Sequence, residues 1–235
     1  MSLSKFYVYS SAVVMLAAFA IHSAPAAAMG LVPETSMLLI KEAENGGSMN
    51  LKNSEANPLL LYTTVVDLPD DTGTHLLVTQ PVTRVEGNQT QHVRFVLQTD
   101  APLTTEHLKR VIFEGIPQNT PGKNKVGFSI RQNLPVIIHP TNLPEVQNAW
   151  TLLTYKAKGK QLTLTNPSPY VVRFQPTVTT LPSNNTASMK QTYILPGKTL
   201  TVEMKKEISA DSQVKIAPVS RYGVKVDDYI ASLTH

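Results

Sequence analysis

Short stretches of alternating or β-branched residues, bounded by Pro, Asn, Gly and Asp, constrain the fold of this chain more than any other feature. Helical periodicity of useful length is almost absent. A set of seven strands is typical of an immunoglobulin-like sandwich. We therefore predict an all-β protein with two immunoglobulin-like β-sandwich domains. The stretches in the first set are Ser36–Ile40, Ser48–Leu51, Leu59–Leu68, Leu76–Val78, Gln91–Gln98, Arg110–Glu114 and Lys125–Ile138. Those in the second set are Leu152–Lys156, Gln161–Asn166, Tyr170–Val178, Lys190–Ile194, Thr199–Glu203, Gln213–Pro218 and Asp227–Leu233.

The N-terminus carries the features of a secretory signal peptide. Lys5 precedes the apolar run Val13–Ile21, and the small residues Ala26 to Ala28 follow it. A membrane-spanning helix needs roughly 20 apolar residues, so the run is too short to span, although a stop-transfer anchor stays open as an alternative. We predict a signal peptide over residues 1–28 and an exported, soluble mature protein. The chain has no cysteine, so its domains fold without disulfides.

The segment His139–Pro144 separates the two sets of strands. Pro140 and Pro144 make it a stiff connection rather than a strand. A domain of about 100 residues buries its own core, and the mature chain is long enough for two. The sequence therefore predicts an N-terminal domain over residues 29–140 and a C-terminal domain over residues 141–235.

Motifs for catalysis, cofactors or nucleic acid are missing. The histidines have no pair at metal-ligand spacing, and there is no phosphate loop or Gly-x-Ser-x-Gly motif. Basic residues are scattered, which does not indicate nucleic-acid binding. We predict a binding protein, not an enzyme, with no cofactor and no metal. The cluster Asp67, Asp70 and Asp71 is interpreted as a solvated turn, with a calcium site as the alternative.

The stretch Lys125–Ile138 is the candidate functional strand. Val126, Phe128 and Ile130 alternate with Gly127 and Ser129, which is typical of a half-buried strand. Pro135 lacks a backbone N–H, which favours an edge position or a change of strand partner. The apolar row either packs into this domain's own core or is covered by another polypeptide.

Several segments resemble the PapD-like periplasmic chaperones of the chaperone–usher pathway. The stretch Leu76–Arg94 is similar to the family's conserved first-domain pattern, and Phe113–Pro117 lies where the family has an aromatic strand ending in Glu-Ile-Pro. In the second domain, Asn166–Tyr170 resembles the family's Asn-Pro-Ser-Pro-Tyr. Ile194–Gly197 and Arg221–Gly223 continue the likeness, which spans nearly the whole mature chain.

The resemblance implies a periplasmic chaperone with two sandwiches arranged like a boomerang. Such a chaperone binds pilus or fimbrial subunits by donor-strand complementation and delivers them to an outer-membrane usher. Val126, Phe128 and Ile130 occupy the family's donor positions, and the loop before them, roughly residues 118–123, is short, as in the subclass that assembles rod-like pili. The resemblance implies neither membrane insertion nor nucleic-acid binding. A pilus subunit, another surface module and an exported enzyme are the alternative classes.

The chain departs from the family at the residues that grip the subunit's C-terminal carboxylate. The family's two basic residues fall at or near Met37 and on Pro135. The basic residues nearest those positions in the alignment are Arg131, Lys125 and Arg221. Arg131 and Arg221 are the candidate anchors, whereas Arg173 is expected on a second-domain strand far from both positions. Either the client is anchored through such other groups, or the chain is an accessory β-sandwich protein of a pilus system without ordinary client loading. The family's interdomain Glu, Arg and Asp fall on Gly115, His139 and Arg221, which leaves that charge network without a carboxylate.

Overall fold

The computed structural model describes residues 30–71, 73–118 and 129–235. Nine strands precede the interdomain segment: β1 (Leu31–Pro33), β2 (Leu38–Lys41), β3 (Gly46–Asn53), β4 (Leu59–Val66), β5 (Thr74–Val78), β6 (Val82–Val85), β7 (Thr90–Thr99), β8 (His107–Pro117) and β9 (Ile130–His139). Eight follow it: β10 (Thr154–Lys158), β11 (Gln161–Thr165), β12 (Val172–Leu181), β13 (Asn185–Ser188), β14 (Tyr193–Ile194), β15 (Thr199–Glu203), β16 (Gln213–Val219) and β17 (Tyr229–Ser232). Short 3-10 helices occupy Glu42–Glu44 and Ala149–Leu152.

The predicted all-β fold is confirmed, since every predicted stretch overlaps one of these strands. The strands that the pattern did not predict are β1, β6 and β13. They are three or four residues long, too short to display a period of two. The signal peptide predicted for residues 1–28 lies outside the described residues.

Two layers of strands make up the first domain. The hydrogen-bonded order is β5-β7-β3-β2-β9-β8-β4-β6, with β1 added beside β3. Strand β2 joins the layers, because it pairs with β3 at Lys41–Gly46 and runs parallel to β9 from Leu38 to Lys41. The layers enclose one apolar core, in which the rings of Phe95 on β7 and Phe113 on β8 meet edge to face at 6.4 Å.

The second domain is a smaller sandwich. One sheet has the order β10-β11-β15, and the other has the order β13-β12-β16-β17 with β14 beside β12. Alternate side chains of the two sheets fill its core, including Leu162, Phe174 and Val214, each almost completely buried.

An apolar cluster separate from both cores joins the domains. We call Met37, Leu108, Ile137, Val171 and Leu195 the interdomain cluster, because the first three belong to the first domain and the last two to the second. All five are buried. Packing in this cluster determines which faces of β8, β9 and β12 line the cleft between the domains.

Candidate strand-donor edge and interdomain cleft

Strand β9 has two different halves. From Val136 to His139 it lies between β8 and β2 and is buried. From Ile130 to Pro135 it has a backbone ladder with β8 alone among the described residues. Pro135 therefore marks a change of strand partner, as its missing N–H predicted. We call residues 130–135 of β9 the open edge.

The predicted donor row is only partly described. Ile130 pairs with Gly115 on β8, and it is 40% exposed. The same face continues to Leu134, which packs against the first-domain core, and to the buried Val136. Val126, Phe128 and the loop at 119–123 lie outside the described residues, so the donor assignment stays a prediction.

Met37 and Pro135 lie side by side where the open edge ends. The parallel ladder between β2 and β9 begins with Leu38 opposite Val136, and the two residues are one step earlier on each strand. Both are buried. The positions that carry basic residues in the resembled family are thus adjacent here, and both are uncharged.

Two other arginines reach this point. Arg110 on β8 is the cross-strand partner of Pro135, and its Nε and Nη2 donate to the side-chain and backbone oxygens of Asn133, each at 2.7 Å. Arg173 on β12 places Nη1 3.6 Å from the sulfur of Met37, which is a weak acceptor. The sequence-based expectation that Arg173 lies far from both positions is wrong, because β12 faces the first domain across the cleft.

Both arginines are partly removed from water. Burial lowers the pKa of Arg110, and it lowers the pKa of Arg173, where the nearby charge of Arg110 acts in the same direction. Tyr193, the cross-strand partner of Arg173, donates its hydroxyl to Asp70 at 3.4 Å. Burial raises the pKa of Tyr193, and the charge of Asp70 raises it further.

Arg131 and Arg221, the anchors predicted from the sequence, differ from each other in exposure and in their partners. Arg131 points away from the donor row, its side chain is 62% exposed, and Nε lies 3.1 Å from Glu114 Oε2. An exposed pair of this kind contributes roughly 0–1 kcal/mol. Arg221 is buried in the second domain, with Nη2 3.5 Å from Glu106 Oε1.

Glu106 supplies the carboxylate of the interdomain charge network, at a position that the sequence alignment did not assign to it. Its Oε1 accepts a hydrogen bond from His139 Nδ1 at 2.8 Å and faces Arg221, while Oε2 accepts the backbone N–H of Val171 at 2.9 Å. The expectation of a network without a carboxylate is therefore wrong. Gly115 cannot contribute, because it lies nine residues further along β8, about 30 Å away at 3.3 Å per residue.

The Asn166–Tyr170 motif forms the loop that meets Glu106. Asn166 is fully buried, and its side chain accepts from Ser168 N and Oγ and donates to the carbonyls of Tyr170 and Ile194. The loop turns Pro169 O toward Glu106 N, at 2.8 Å. The motif is therefore a structural device that docks the second domain on the first.

Only part of the acidic turn is left in solvent, since Asp67 and Asp70 are exposed and Asp71 is not. Asp71 is buried and hydrogen-bonds to the ring of His107 and the backbone N–H of Leu108. Asp67 lies 2.8 Å from Nζ of Lys109, a lysine with a fully buried side chain. The interpretation as a solvated turn is wrong for Asp71. No group of three or more His, Asp or Glu side chains suited to a metal occurs within the described ranges.

Sequence reasoning missed Glu106, Arg110 and Arg173. Each lies outside any recognisable motif, and its position depends on strand register and on the docking of two domains. The position of Arg110 beside Pro135 follows only from the register of β8 and β9. The position of Arg173 beside Met37 follows only from the packing of β12 across the cleft.

Two sandwiches, an open strand edge and a charged contact between the domains define a two-domain immunoglobulin-like protein. Residues 30–144 match the family described as pili and flagellar-assembly chaperone, PapD N-terminal domain, and residues 148–229 match the pili assembly chaperone PapD, C-terminal domain. The chain belongs to this family of chaperones.

Named relatives support the same family assignment. The chain is 46% identical over 207 residues to the fimbrial chaperone YhcA of Escherichia coli K12, covering 88% of this chain and 92% of the relative. It is 23% identical over 167 residues to the chaperone protein MrkB of Klebsiella pneumoniae, covering 67% and 70%.

Solved structures share the fold. The structure of the Salmonella enterica SafA pilin in complex with the SafB chaperone matches with a TM-score of 0.71 at 20% identity, covering 88% of this chain and 98% of that one. The CupB2 chaperone of Pseudomonas aeruginosa matches with a TM-score of 0.67 at 22% identity, covering 86% and 100%. Within the described ranges, no helix has the length and apolar character needed to cross a bilayer.

Proposed function

We propose that this protein is a periplasmic chaperone that binds pilus or fimbrial subunits by donor-strand complementation and delivers them to an outer-membrane usher. The observation that carries the proposal is the open edge of β9, which has a backbone ladder with β8 alone among the described residues and carries Ile130 with an apolar side chain that is 40% exposed. A subunit that lacks a strand gains a complete sheet by pairing there. Each fully buried donor side chain stabilises the complex by roughly 1.5–3 kcal/mol before ordering costs.

The proposal includes a division of the chain and its location. Residues 1–28 act as the signal peptide, residues 29–140 form the chaperone domain that donates the strand, and residues 141–235 form the second sandwich. Membership of the family supports a periplasmic location and a role in binding rather than catalysis. No cofactor is part of the proposed activity.

Val126, Phe128 and Ile130 are the proposed donor side chains. For the client's carboxylate, Arg131 and Arg221 are the candidates that the alignment favours. The alternative role, an accessory protein of a pilus system without ordinary client loading, predicts that no subunit binds.

The proposal is tested by purifying the tagged protein from periplasmic extract and identifying its companions by mass spectrometry. We expect a pilin-like subunit in a one-to-one complex. Recovery of the protein alone, together with failure to protect any subunit of its pilus system from periplasmic proteolysis, favours the accessory role.

Ile130→Asp and Phe128→Asp test the donor row directly. A charge cannot enter an apolar groove without a large desolvation cost, so we expect at least a tenfold loss of co-purified subunit. The matched control is Ile230→Asp, which changes an isoleucine that is 49% exposed on a second-domain strand. If the donor-row variants unfold while the control does not, as judged by circular dichroism, these side chains belong to the domain's own core and the donor assignment fails.

A further inference from the structure

The two domains carry net charges of opposite sign. Residues 29–140 have nine Lys and Arg against eleven Asp and Glu, a net charge of −2, whereas residues 141–235 have eleven against six, a net charge of +5. The positive charge is also unevenly placed within the second domain, because five exposed lysines lie on or beside one end of it. We call them the basic tip: Lys156, Lys158, Lys160, Lys205 and Lys206.

Hydrogen bonds to the backbone bring this end of the domain together. The chain turns from β10 into β11 at Lys160, whose carbonyl accepts the N–H of Met204 at 2.8 Å. The buried Asn185 donates Nδ2 to the carbonyl of Lys206 at 2.9 Å. The segment with Lys205 and Lys206 is therefore held beside the turn.

The other two lysines lie on the outer face of β10. Lys156 and Lys158 alternate with Tyr155 and Ala157, which are buried in the core of the second domain. Because successive side chains of a strand point to opposite faces, both lysines point to solvent on the same side of the sheet.

The basic tip is at the far end of the second domain from the first. Strand β11 begins at the tip and leads into the loop Asn166–Tyr170, where Pro169 O accepts the N–H of Glu106 in the first domain at 2.8 Å. The five residues of the strand place the tip roughly 16 Å from this contact. The tip therefore lies outside the cleft and away from the open edge of β9.

The positive charge of the tip is not neutralised within the described part of the chain. None of the five lysines forms an ion pair there. Glu203 and Glu207 are the exposed acidic side chains of this end. Asp211 is buried, and its two oxygens accept hydrogen bonds from N and Oγ of Ser183 at 2.8 and 2.7 Å. A partner with many negative charges would relieve the repulsion among the lysines.

The composition of the tip selects the kind of partner. Interfaces between proteins are enriched in aromatic residues and arginine at their centre and depleted in lysine. The tip has no arginine, and the large exposed apolar side chains of the second domain, Leu152, Tyr222, Val224 and Ile230, all lie outside it. A cluster of lysines without apolar neighbours suits the headgroups of anionic lipids, which attract it through charge alone and need no groove.

We infer that the basic tip docks the protein on the surface of a membrane that contains anionic phospholipids. The inference goes beyond the proposed function and takes from it only the periplasmic location, a compartment bounded by membranes. The same surface repels the negatively charged first domain. The docked protein therefore has its tip on the membrane and the open edge of β9 on the part of the molecule away from it, free to pair with a client.

Binding to vesicles tests the inference directly. The purified protein is mixed with vesicles of phosphatidylcholine alone, or of phosphatidylcholine with about one third phosphatidylglycerol, and the bound fraction is measured by flotation. At about 0.02 M salt, we expect binding to the anionic vesicles to be roughly tenfold tighter than to the neutral ones. At about 0.3 M salt the difference should disappear, because salt screens exposed charges.

Two sets of substitutions with equal change of charge separate the tip from the net charge of the protein. The tip variant combines Lys158→Gln, Lys160→Gln, Lys205→Gln and Lys206→Gln. The control variant changes four exposed lysines outside the tip, Lys52→Gln, Lys190→Gln, Lys198→Gln and Lys225→Gln. We expect the tip variant to bind anionic vesicles roughly tenfold more weakly and the control to keep most of the affinity, with circular dichroism showing that both are folded. Equal losses in the two variants overturn the inference.

A second measurement follows the orientation in the otherwise unchanged protein. The chain has no cysteine, so a single introduced cysteine carries a fluorescent label at one known position. Ser209→Cys places the label in an exposed turn next to the tip, and Gln89→Cys places it in an exposed turn of the first domain. We expect lipids with spin-labelled headgroups to quench the label at Ser209 more strongly. Equal quenching, or stronger quenching at Gln89, overturns the docking through the tip.

Poly-glutamate distinguishes an acidic polypeptide partner from a lipid surface. Binding to poly-glutamate through the tip without binding to anionic vesicles overturns the inference in favour of a protein partner. Absence of binding to anionic vesicles at low salt overturns it as well, and leaves the tip as a solvated surface. None of these outcomes bears on the proposed function, which is decided by the co-purification of a subunit.

Discussion

At the junction between the domains, a single carboxylate contacts several charged and polar groups. Glu106 is 4% exposed and serves His139, Arg221 and the backbone of Val171 at once. Both nitrogens of His139 face oxygens, since Nε2 lies 2.9 Å from Leu143 O. One buried carboxylate therefore joins a histidine, an arginine and a backbone N–H from three separate parts of the chain.

We expect Glu106→Ala to lower the free energy of unfolding by about 3–5 kcal/mol, because it leaves the buried Arg221 without its counterion and His139 without its hydrogen-bond partner. Urea unfolding followed by circular dichroism measures the change. Glu44→Ala is the matched control, since Glu44 is exposed and has no ion pair within the described residues. A loss from Glu106→Ala no larger than the control's would mean that water replaces the carboxylate at little cost.

These residues also mark the limit of prediction from sequence. The motif Asn166–Tyr170 was visible because turn residues have local signatures. The role of Glu106 was not, because its partners are 33 to 115 positions away along the chain. Arg110 and Arg173 were missed for the same reason, since a register and a docking geometry are needed to bring them to Pro135 and Met37.

At the level of strands and turns, pattern was a good guide to where β structure occurs and a poor guide to how strands pair. The alternation in β9 and its proline predicted a change of partner, and the ladder with β2 begins at the following residue. The strands β1, β6 and β13 were not predicted, because they owe their conformation to longer neighbours. Neither the alternation nor the proline predicted the order of the strands in the two layers, because that order depends on contacts between elements that are distant in the sequence.

The turn between β16 and β17 approaches the first domain at Gly223. This residue has a φ of +82°, and a Cβ atom there would lie 2.6 Å from Ser36 Oγ and 3.2 Å from Met37 Cγ. We expect Gly223→Ala to lower the free energy of unfolding by about 1–3 kcal/mol through strain and close contact. Thermal unfolding measures it.

Gly159→Ala is the control for conformation alone, because Gly159 also has a positive φ (+60°) but no atom within 4 Å of the added Cβ. A larger loss from Gly223→Ala is expected to come with weaker docking between the domains. Equal losses of unfolding free energy in the two variants would show that Ser36 and Met37 move away from the added Cβ atom at no energetic cost.

At the scale of the whole molecule, two independent cores are joined by a small apolar cluster and one charge network. Leu195 belongs to the interdomain cluster and to neither core. We expect Leu195→Asp to leave each sandwich folded but to release their relative orientation. The radius of gyration from small-angle scattering should rise, and urea unfolding should separate into two transitions.

Leu152→Asp serves as the comparison, because Leu152 is 41% exposed in the second domain and lies outside the interdomain cluster. It should leave the scattering profile unchanged. A single transition and an unchanged radius for Leu195→Asp would assign the orientation of the domains to the Glu106 network alone.

The parallel pairing of β2 with β9 has a consequence for how the molecule is made. β2 is among the earliest strands, and its partner follows about a hundred residues later, so this ladder closes a loop that spans nearly the whole first domain. Contacts of such long range are slow to form, and a chain emerging from its amino end cannot make this one until β9 has appeared. Strand β2 can therefore end the open edge only after β9 has been made. A chain that has not yet formed this ladder has no β2 beside Val136, so none of the described strands then limits how far another strand can pair along β9.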